Sequence, residues 1–345
     1  MPLTRLAPLA LALAAAFAPV AAAAQTGPAL DPAVRAAFVA EVAEASGMPA
    51  AEIDALLSQA RYQQGIVNAM DRPAEAKPWR DYRPIFITDQ RIRQGRAFLA
   101  EHRAALAEVE AATGVPAEFI VAIIGVETSY GGNTGSHRVL DALYTLGFHY
   151  PRREAFFRAE LGHLFTLART EQLDIPALRG SYAGAMGLGQ FMPSSYLAYA
   201  KDGDGDGRRD LFTSLPDVFA SIANYFVAHG WKPGEPVLVP AVFEQGREEF
   251  VPENLEASHA IADLAARGYA PAGRLAVLPA TGTVLNLDGA QGREYWMGFQ
   301  NFYVITRYNR SPLYAMAVNQ LAGAIAEGDV APAAAPAAPA PAAGE

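Results

Sequence analysis

The chain of 345 residues contains no cysteine. Disulfides, thiolate zinc sites, iron–sulfur clusters and cysteine nucleophiles are therefore excluded. It also lacks a basic surplus: 27 Lys and Arg stand against 36 Asp and Glu, a formal charge of −9. A nucleic-acid binder carries a basic excess or stripe, and none is visible. Beyond the first thirty residues no apolar run is long enough to span a bilayer. The six histidines contain no H-x-x-x-H pair, and no G-x-S-x-G elbow is present.

What is there is apolar and long. Hydrophobic residues make up 51% of the chain and charged residues 18%, which excludes a disordered polymer. At roughly 100–200 residues per domain, two or three structural units are expected. The opening segment, MPLTRLAPLALALAAAFAPVAAAAQ, has one early charge at Arg5, an apolar run and then small residues. It predicts a secretory signal over 1–24, cleaved after Ala24, with an uncleaved anchor as the alternative. Lipid attachment to an N-terminal cysteine is closed to this chain.

Asp31-Pro32 predicts an N-cap with proline at the first helical position, and the pattern then runs to Ser46-Gly47. A second helix is expected from near Pro49. A third runs from Thr88 to a stop at Gly114, and a fourth, AEFIVAIIGVETSYGG, follows Val115-Pro116. Further helix is expected through 151–172 and 216–229, so the chain reads as mainly α up to about Trp231. The character then changes. PVLVP, RLAVLP, GTVLNLDG, EYWMGF and FYVITRY predict a small antiparallel sheet, with a turn at Asp288-Gly289 and one helix near 258–267. Ser311-Pro312 caps a last helix ending at Glu327-Gly328, and residues 330–345 form an Ala/Pro tail expected to be disordered.

Four groups of residues carry chemistry. Ile120, Ile123, Ile124 and Glu127 stand at i, i+3, i+4 and i+7, which places a carboxyl on an apolar helix face. Desolvation and the negative end of the helix dipole both favour its neutral form, as a general acid requires. The same spacing also describes a helix-end glutamate reaching solvent. The second group is SYAGAMGLGQFMPS from Ser181, where Gly184, Gly187 and Gly189 permit close backbone approach and Gln190 offers an amide to a ligand. A close-packed helix–loop contact would use the same residues.

In the third group, Asp202, Asp204 and Asp206 occupy loop positions 1, 3 and 5 with Gly207 at 6, the first half of an EF-hand. The Arg208 carbonyl falls at position 7. Position 12 is Thr213, so Asp217 is the residue expected to close the site, and a solvated acidic turn is the alternative. The fourth group is RYNRSPLY from Arg307, where Tyr308, Asn309 and Tyr314 suit a carbohydrate, with Tyr82 and Tyr225 available to join them. Each tyrosine could equally serve core packing.

Taken together these blocks resemble the lytic murein transglycosylase B family, lysozyme-like enzymes that cleave bacterial peptidoglycan. The matching pieces are VETSYGG, SYAGAMGLGQFMPSSY, the acidic loop, SIANYFVAHGW and RYNRSPLYAMAV, in the family's order and over about two-thirds of the chain. The resemblance implies Glu127 as the one catalytic glutamate. It implies a glycan groove lined by Tyr82, Ser181, Gln190, Tyr225, Tyr308, Asn309 and Tyr314. It implies a structural calcium held by Asp202, Asp204, Asp206, Arg208 and Asp217, and no catalytic cofactor.

The implied fold is mainly α (α+β). An N-terminal helical domain spans 25–110 and a lysozyme-like core 111–232, with the EF-hand-like loop at 202–217. A small antiparallel β domain follows at 233–306, and residues 307–329 return to the core. The implied reaction cleaves the MurNAc–GlcNAc β-1,4 bond and leaves a 1,6-anhydro end; a hydrolytic muramidase and a non-catalytic peptidoglycan-binding scaffold are the alternatives. Glycan strands are the expected partner, with cell-wall synthesis or remodelling proteins beside them, and the periplasm the expected location. Some members carry a lipoprotein cysteine that this chain lacks.

Overall fold

The structure, a computed structural model, describes residues 27–72 and 77–327. The expected signal segment 1–24 and tail 330–345 lie outside the described residues. Local rules set the first helices. Asp31 caps α1 (Pro32–Ser46) by accepting the Ala33 amide at 2.7 Å, and Gly47 ends it in the left-handed region at φ 67°. Then come α2 (Ala50–Leu57), α3 (Gln64–Met70) and α4 (Trp79–Phe86).

The long helix expected from Thr88 to Gly114 is two helices, α5 (Asp89–Glu101) and α6 (Arg103–Thr113). The break falls at His102, whose ring packs on Phe98 and Phe219 at 4.5 and 6.0 Å. No proline or glycine marks that point in the sequence; packing bends the chain. Gly114 stops α6 at φ 68°, as expected.

Helix α7 (Ala117–Thr128) is the spine. Ile120, Val121, Ala122, Ile123 and Ile124 are all fully buried, so its middle has no solvent face, and only its ends, at Glu118-Phe119 and at Glu127, are half-buried. Around it lie β1 (His137–Arg138), α8 (Val139–His149), α9 (Glu154–Glu171), β2 (Arg179–Gly180), α10 (Pro193–Tyr199) and α11 (Leu215–Ala228). Strands β1 and β2 pair antiparallel. One hydrophobic cluster runs from Phe38 through α7 to Ile325, and Phe38 meets Phe148 edge-on at 5.4 Å, so the N-terminal helices share the core of the rest.

The later strands are β3 (Leu238–Phe243), β4 (His259–Ala260), β5 (Tyr269–Pro271), β6 (Thr281–Gly289) and β7 (Gly292–Gly298), with α12 (Ile261–Ala266) between β4 and β5. They form one antiparallel sheet in the order β4-β6-β7-β3-β5. Leu264, Tyr269, Val284, Met297 and Phe299 make its own small core, while Leu285 and Leu287 join the main one.

Three expectations are corrected here. RLAVLP is not a strand; Val277 and Leu278 are exposed, without a neighbouring ladder. The β6–β7 turn is Ala290-Gln291, because Asp288 and Gly289 still pair with Arg293 and Gly292. FYVITRY is helix α13 (Gln300–Tyr308). Its β-branched residues suggested a strand, but the Asn301 side chain fastens the segment to the backbone of Lys232 and Glu235 at 2.7–2.9 Å. The last helix, α14 (Pro312–Ala326), is capped by Ser311 as expected. The mainly helical build with one small antiparallel sheet agrees with the expected fold class.

Candidate active site

Glu127 sits in the last turn of α7, half-buried. The helix ends sooner than its glycine pair suggests. Ser129 and Tyr130 turn into the left-handed region at φ 51° and 59°, a conformation that residues with a Cβ adopt at a cost. Three contacts hold this turn. The Tyr130 hydroxyl donates to the Arg91 carbonyl at 2.9 Å, Arg91 donates back to Ser129 Oγ at 3.0 Å, and the Gly131 amide donates to Thr128 Oγ1 at 3.1 Å. The Tyr130 ring fits where Gly95 and Gly125 leave room between α5 and α7.

Helix α14 supplies the nearest partner. The Tyr314 hydroxyl, on a side chain 3% exposed, donates to Glu127 Oε1 at 2.6 Å. Tyr308 lies beside it and donates to the Gly189 carbonyl at 2.6 Å. Burial first, and then the nearby Glu127 carboxylate, push both phenols well above their usual range, so each stays a neutral donor. Tyr225 donates to the Arg307 carbonyl at 2.6 Å and stacks on His229 at 4.2 Å; burial pushes its phenol up to about 12. Phe191, Tyr225 and Tyr308 form one aromatic cluster with centroids 4.8–5.9 Å apart.

The glycine-rich segment is a tight loop. Ser181 Oγ accepts the amides of Ala185 and Ala183 at 3.0 and 3.3 Å. Gln190, at φ 50°, donates its amide nitrogen to the carbonyls of Thr134 and Gly187 at 3.1 and 2.9 Å, which leaves Oε1 as its remaining acceptor. Asn309 Oδ1 accepts the Ser311 amide at 3.1 Å and so shapes the start of α14. Glu127, Tyr308 and Tyr314 are brought together, with Tyr225 adjoining through the Tyr308 ring and Gln190 through the 187–190 segment. Tyr82 is 1% exposed, its ring stacked with Trp79 at 6.3 Å in the core, and it is near enough to Tyr314 to act on that phenol electrostatically.

The acidic loop is separate from this cluster. One carboxylate oxygen each of Asp202, Asp204 and Asp217 lie within 4.8 Å of one another, a set of hard donors suited to a divalent cation. Asp217 is 1% exposed and staples the loop, accepting the amides of Gly203 and Asp210 at 2.7 and 2.6 Å. Asp206 is outside that group, its Oδ1 accepting the Arg208 amide at 2.8 Å. The amide of Gly207 above all, then those of Gly205 and Asp206, hold the Asp202 carboxyl below its usual range.

Sequence reasoning did not single out Thr128, Arg91 or Tyr130, which shape the turn after Glu127, nor Asp210. Asp210 continues the alternate-residue spacing of the loop at position 9, so a signal for it was present. Arg91 carried none, since it comes from a different helix.

The family model described as "Transglycosylase SLT domain" matches residues 31–323. The chain is 42% identical over 299 residues to the membrane-bound lytic murein transglycosylase B of Escherichia coli (strain K12), covering 84% of this chain and 81% of the relative. Among solved structures it is similar to the soluble lytic transglycosylase SltB1 of Pseudomonas aeruginosa, with TM-score 0.79 and 48% identity over 85% of this chain and 98% of that one. It is similar also to the Escherichia coli lytic transglycosylase Slt35 in complex with calcium, with TM-score 0.77 and 42% identity over 85% and 93%. A third, SltB3 of Pseudomonas aeruginosa, is in complex with NAG-anhNAM-pentapeptide, with TM-score 0.73 and 31% identity over 85% and 79%. A match over most of the chain, on a fold that carries a glutamate at a buried helix end ringed by phenols, decides the family: this chain belongs to the lytic murein transglycosylases, enzymes that cleave the glycan strands of peptidoglycan.

Proposed function

We propose that Glu127 is the single acid–base group of a lytic transglycosylase reaction on the MurNAc–GlcNAc β-1,4 bond. The observation that carries this reading is the 2.6 Å hydrogen bond from Tyr314 to Oε1 of a half-buried glutamate at the end of α7. With Oε1 accepting from a phenol, Oε2 is the oxygen we assign to carry the proton that is given away. Glu127 donates it to the glycosidic oxygen, and the bond from that oxygen to C1 breaks. The substrate's N-acetyl oxygen closes on C1 as an oxazolinium. Glu127, now a carboxylate, takes the proton of the C6 hydroxyl, whose oxygen attacks C1 and displaces the N-acetyl oxygen. A 1,6-anhydro ring results and no water is consumed. Closing the ring within one sugar replaces a bimolecular attack, worth several kcal/mol in well-oriented cases. One carboxyl suffices, whereas ordinary glycosidases need two.

Ser181, Gln190, Tyr225, Tyr308, Asn309 and Tyr314 line the glycan groove in this reading, with Tyr82 supporting Tyr314. Asp202, Asp204, Asp206, Asp217 and the Arg208 carbonyl hold a calcium ion that braces the loop and takes no part in catalysis. The unit boundaries at 110, 232 and 306 and the signal at 1–24 belong to the same reading. A murein substrate fits the periplasmic location of this reading.

The test is digestion of purified sacculi followed by mass spectrometry. Products one water lighter than those of a hydrolase are expected, and reducing muramic acid ends alone would point to a muramidase instead. Glu127→Gln should abolish cleavage, a loss of at least about 1,000-fold, while thermal melting and glycan binding persist. Retained turnover would remove Glu127 from its role. Retained binding with no cleavage by the unaltered protein would favour a scaffold.

A further inference from the structure

Two consecutive left-handed residues, Ser129 and Tyr130, neither of them glycine, begin two positions after Glu127. Such backbone persists only where its surroundings over-determine it. The residue between the glutamate and this turn is Thr128, 1% exposed, and its one hydroxyl serves three carbonyl and amide groups. Oγ1 accepts the Gly131 amide at 3.1 Å, which closes the strained turn. Its proton is shared between the Ile124 and Leu188 carbonyls, each at 3.1 Å. The contact to Ile124 is the ordinary back-bond of a helical threonine. The contact to Leu188 spans 60 positions and joins α7 to the glycine-rich segment.

That segment is itself held from the far side. The Leu188 amide donates to the Leu211 carbonyl at 2.9 Å, and the Leu211 amide donates to the Tyr196 hydroxyl at 3.0 Å. Gly189, next in line, accepts the Tyr308 hydroxyl. The backbone of 187–190 is thus fixed by the acidic-loop side and by Tyr308, and Thr128 is its tie to the catalytic helix.

We propose that Thr128 is a positioning residue: its hydroxyl sets the end of α7 against the 187–190 segment, so that Glu127 and the glycan-facing groups Tyr308 and Gln190 keep one spacing. This rests on Glu127 being the acid–base group. A hydroxyl in this place does what packing cannot, because it satisfies the Leu188 carbonyl and closes the Gly131 turn at once. Displacing a catalytic group by about 1 Å costs roughly a hundredfold in rate.

The experiment compares Thr128→Val, which keeps the shape and removes the hydroxyl, with Thr128→Ser, which keeps the hydroxyl. Turnover and KM on solubilised glycan strands are measured beside melting temperature and the pH profile. Thr128→Val is expected to lose about 10- to 100-fold in kcat with KM within about twofold, at a temperature where it remains folded. Its pH profile should change in the limb assigned to Glu127, and Thr128→Ser should restore most of the rate. Unchanged kcat in folded Thr128→Val overturns the proposal, as does a Thr128→Ser variant as slow as Val. An active Glu127→Gln would instead defeat the underlying reading, so the two failures are separable.

Discussion

Two phenols stand beside Glu127, and neither comes from its own helix. Tyr314 reaches it from α14, and Tyr308 comes from the end of α13. Both are kept protonated by burial and by the carboxylate's own charge, so they act as fixed donors. A different titratable group makes stability depend on pH. His149 Nε2 is buried without a hydrogen-bond partner, between the edges of Tyr62 and Tyr144 at 5.2 and 5.5 Å, and burial lowers its pKa from 6.5. The unfolded chain then binds a proton at a higher pH than the folded one. The stability linked to His149 is therefore whole above 6.5 and declines as pH falls through that value towards the folded pKa. Melting temperature is expected to fall between about pH 7 and about pH 5, and His149→Phe should flatten that slope. An equally steep slope in the variant would assign the effect elsewhere.

At the level of elements, the segment between Ser181 and Phe191 depends on glycine for a specific reason. Gly187 sits at φ 73°, and a Cβ there would overlap the Leu211 carbonyl, a backbone atom that cannot step aside. Gly205 sits at a similar φ of 77° in the acidic loop with open space around it. Gly205→Ala should cost about 1 kcal/mol, the left-handed penalty alone. Gly187→Ala should add about 1–3 kcal/mol of overpacking in urea unfolding, with a matching loss of activity. Equal costs would mean the clamp from Leu211 is unimportant.

The acidic loop has its own signature. Asp202 titrates below its usual 3.8, so its hydrogen bonds stabilise the loop above that value and are lost as pH drops through the folded pKa. If the loop holds calcium, adding the ion at a hundredfold over its dissociation constant stabilises the protein by about 2.7 kcal/mol. Melting temperature should rise with calcium, fall with a chelator, and lose both responses in Asp217→Asn. An unchanged melting temperature in the parent protein would argue against a bracing ion.

Across the whole molecule, the charge of −9 offers an anionic polymer no attraction, so groove contacts must do the binding. One hydrophobic cluster reaching from Phe38 to Ile325 carries the site, while the sheet keeps a small core of its own. Among the described residues no single helix is long and apolar enough to cross a membrane. Helix α7 is apolar because it is the centre of the fold.

Much of this was legible one residue at a time. The caps at Asp31 and Ser311 and the left-handed stops at Gly47 and Gly114 follow from interactions spanning two to four residues, and the local order of residues carries that information. The same holds for the placing of Glu127 after an isoleucine face and for the alternation of acids from Asp202. Tertiary structure alone decided the break at His102, the helical state of 300–308, the burial of Tyr82 and the tie from Thr128 to Leu188. Each depends on partners dozens of positions away. Short-range propensity is worth tenths of a kcal/mol per residue, and a well-packed ring or a satisfied buried hydrogen bond outweighs it.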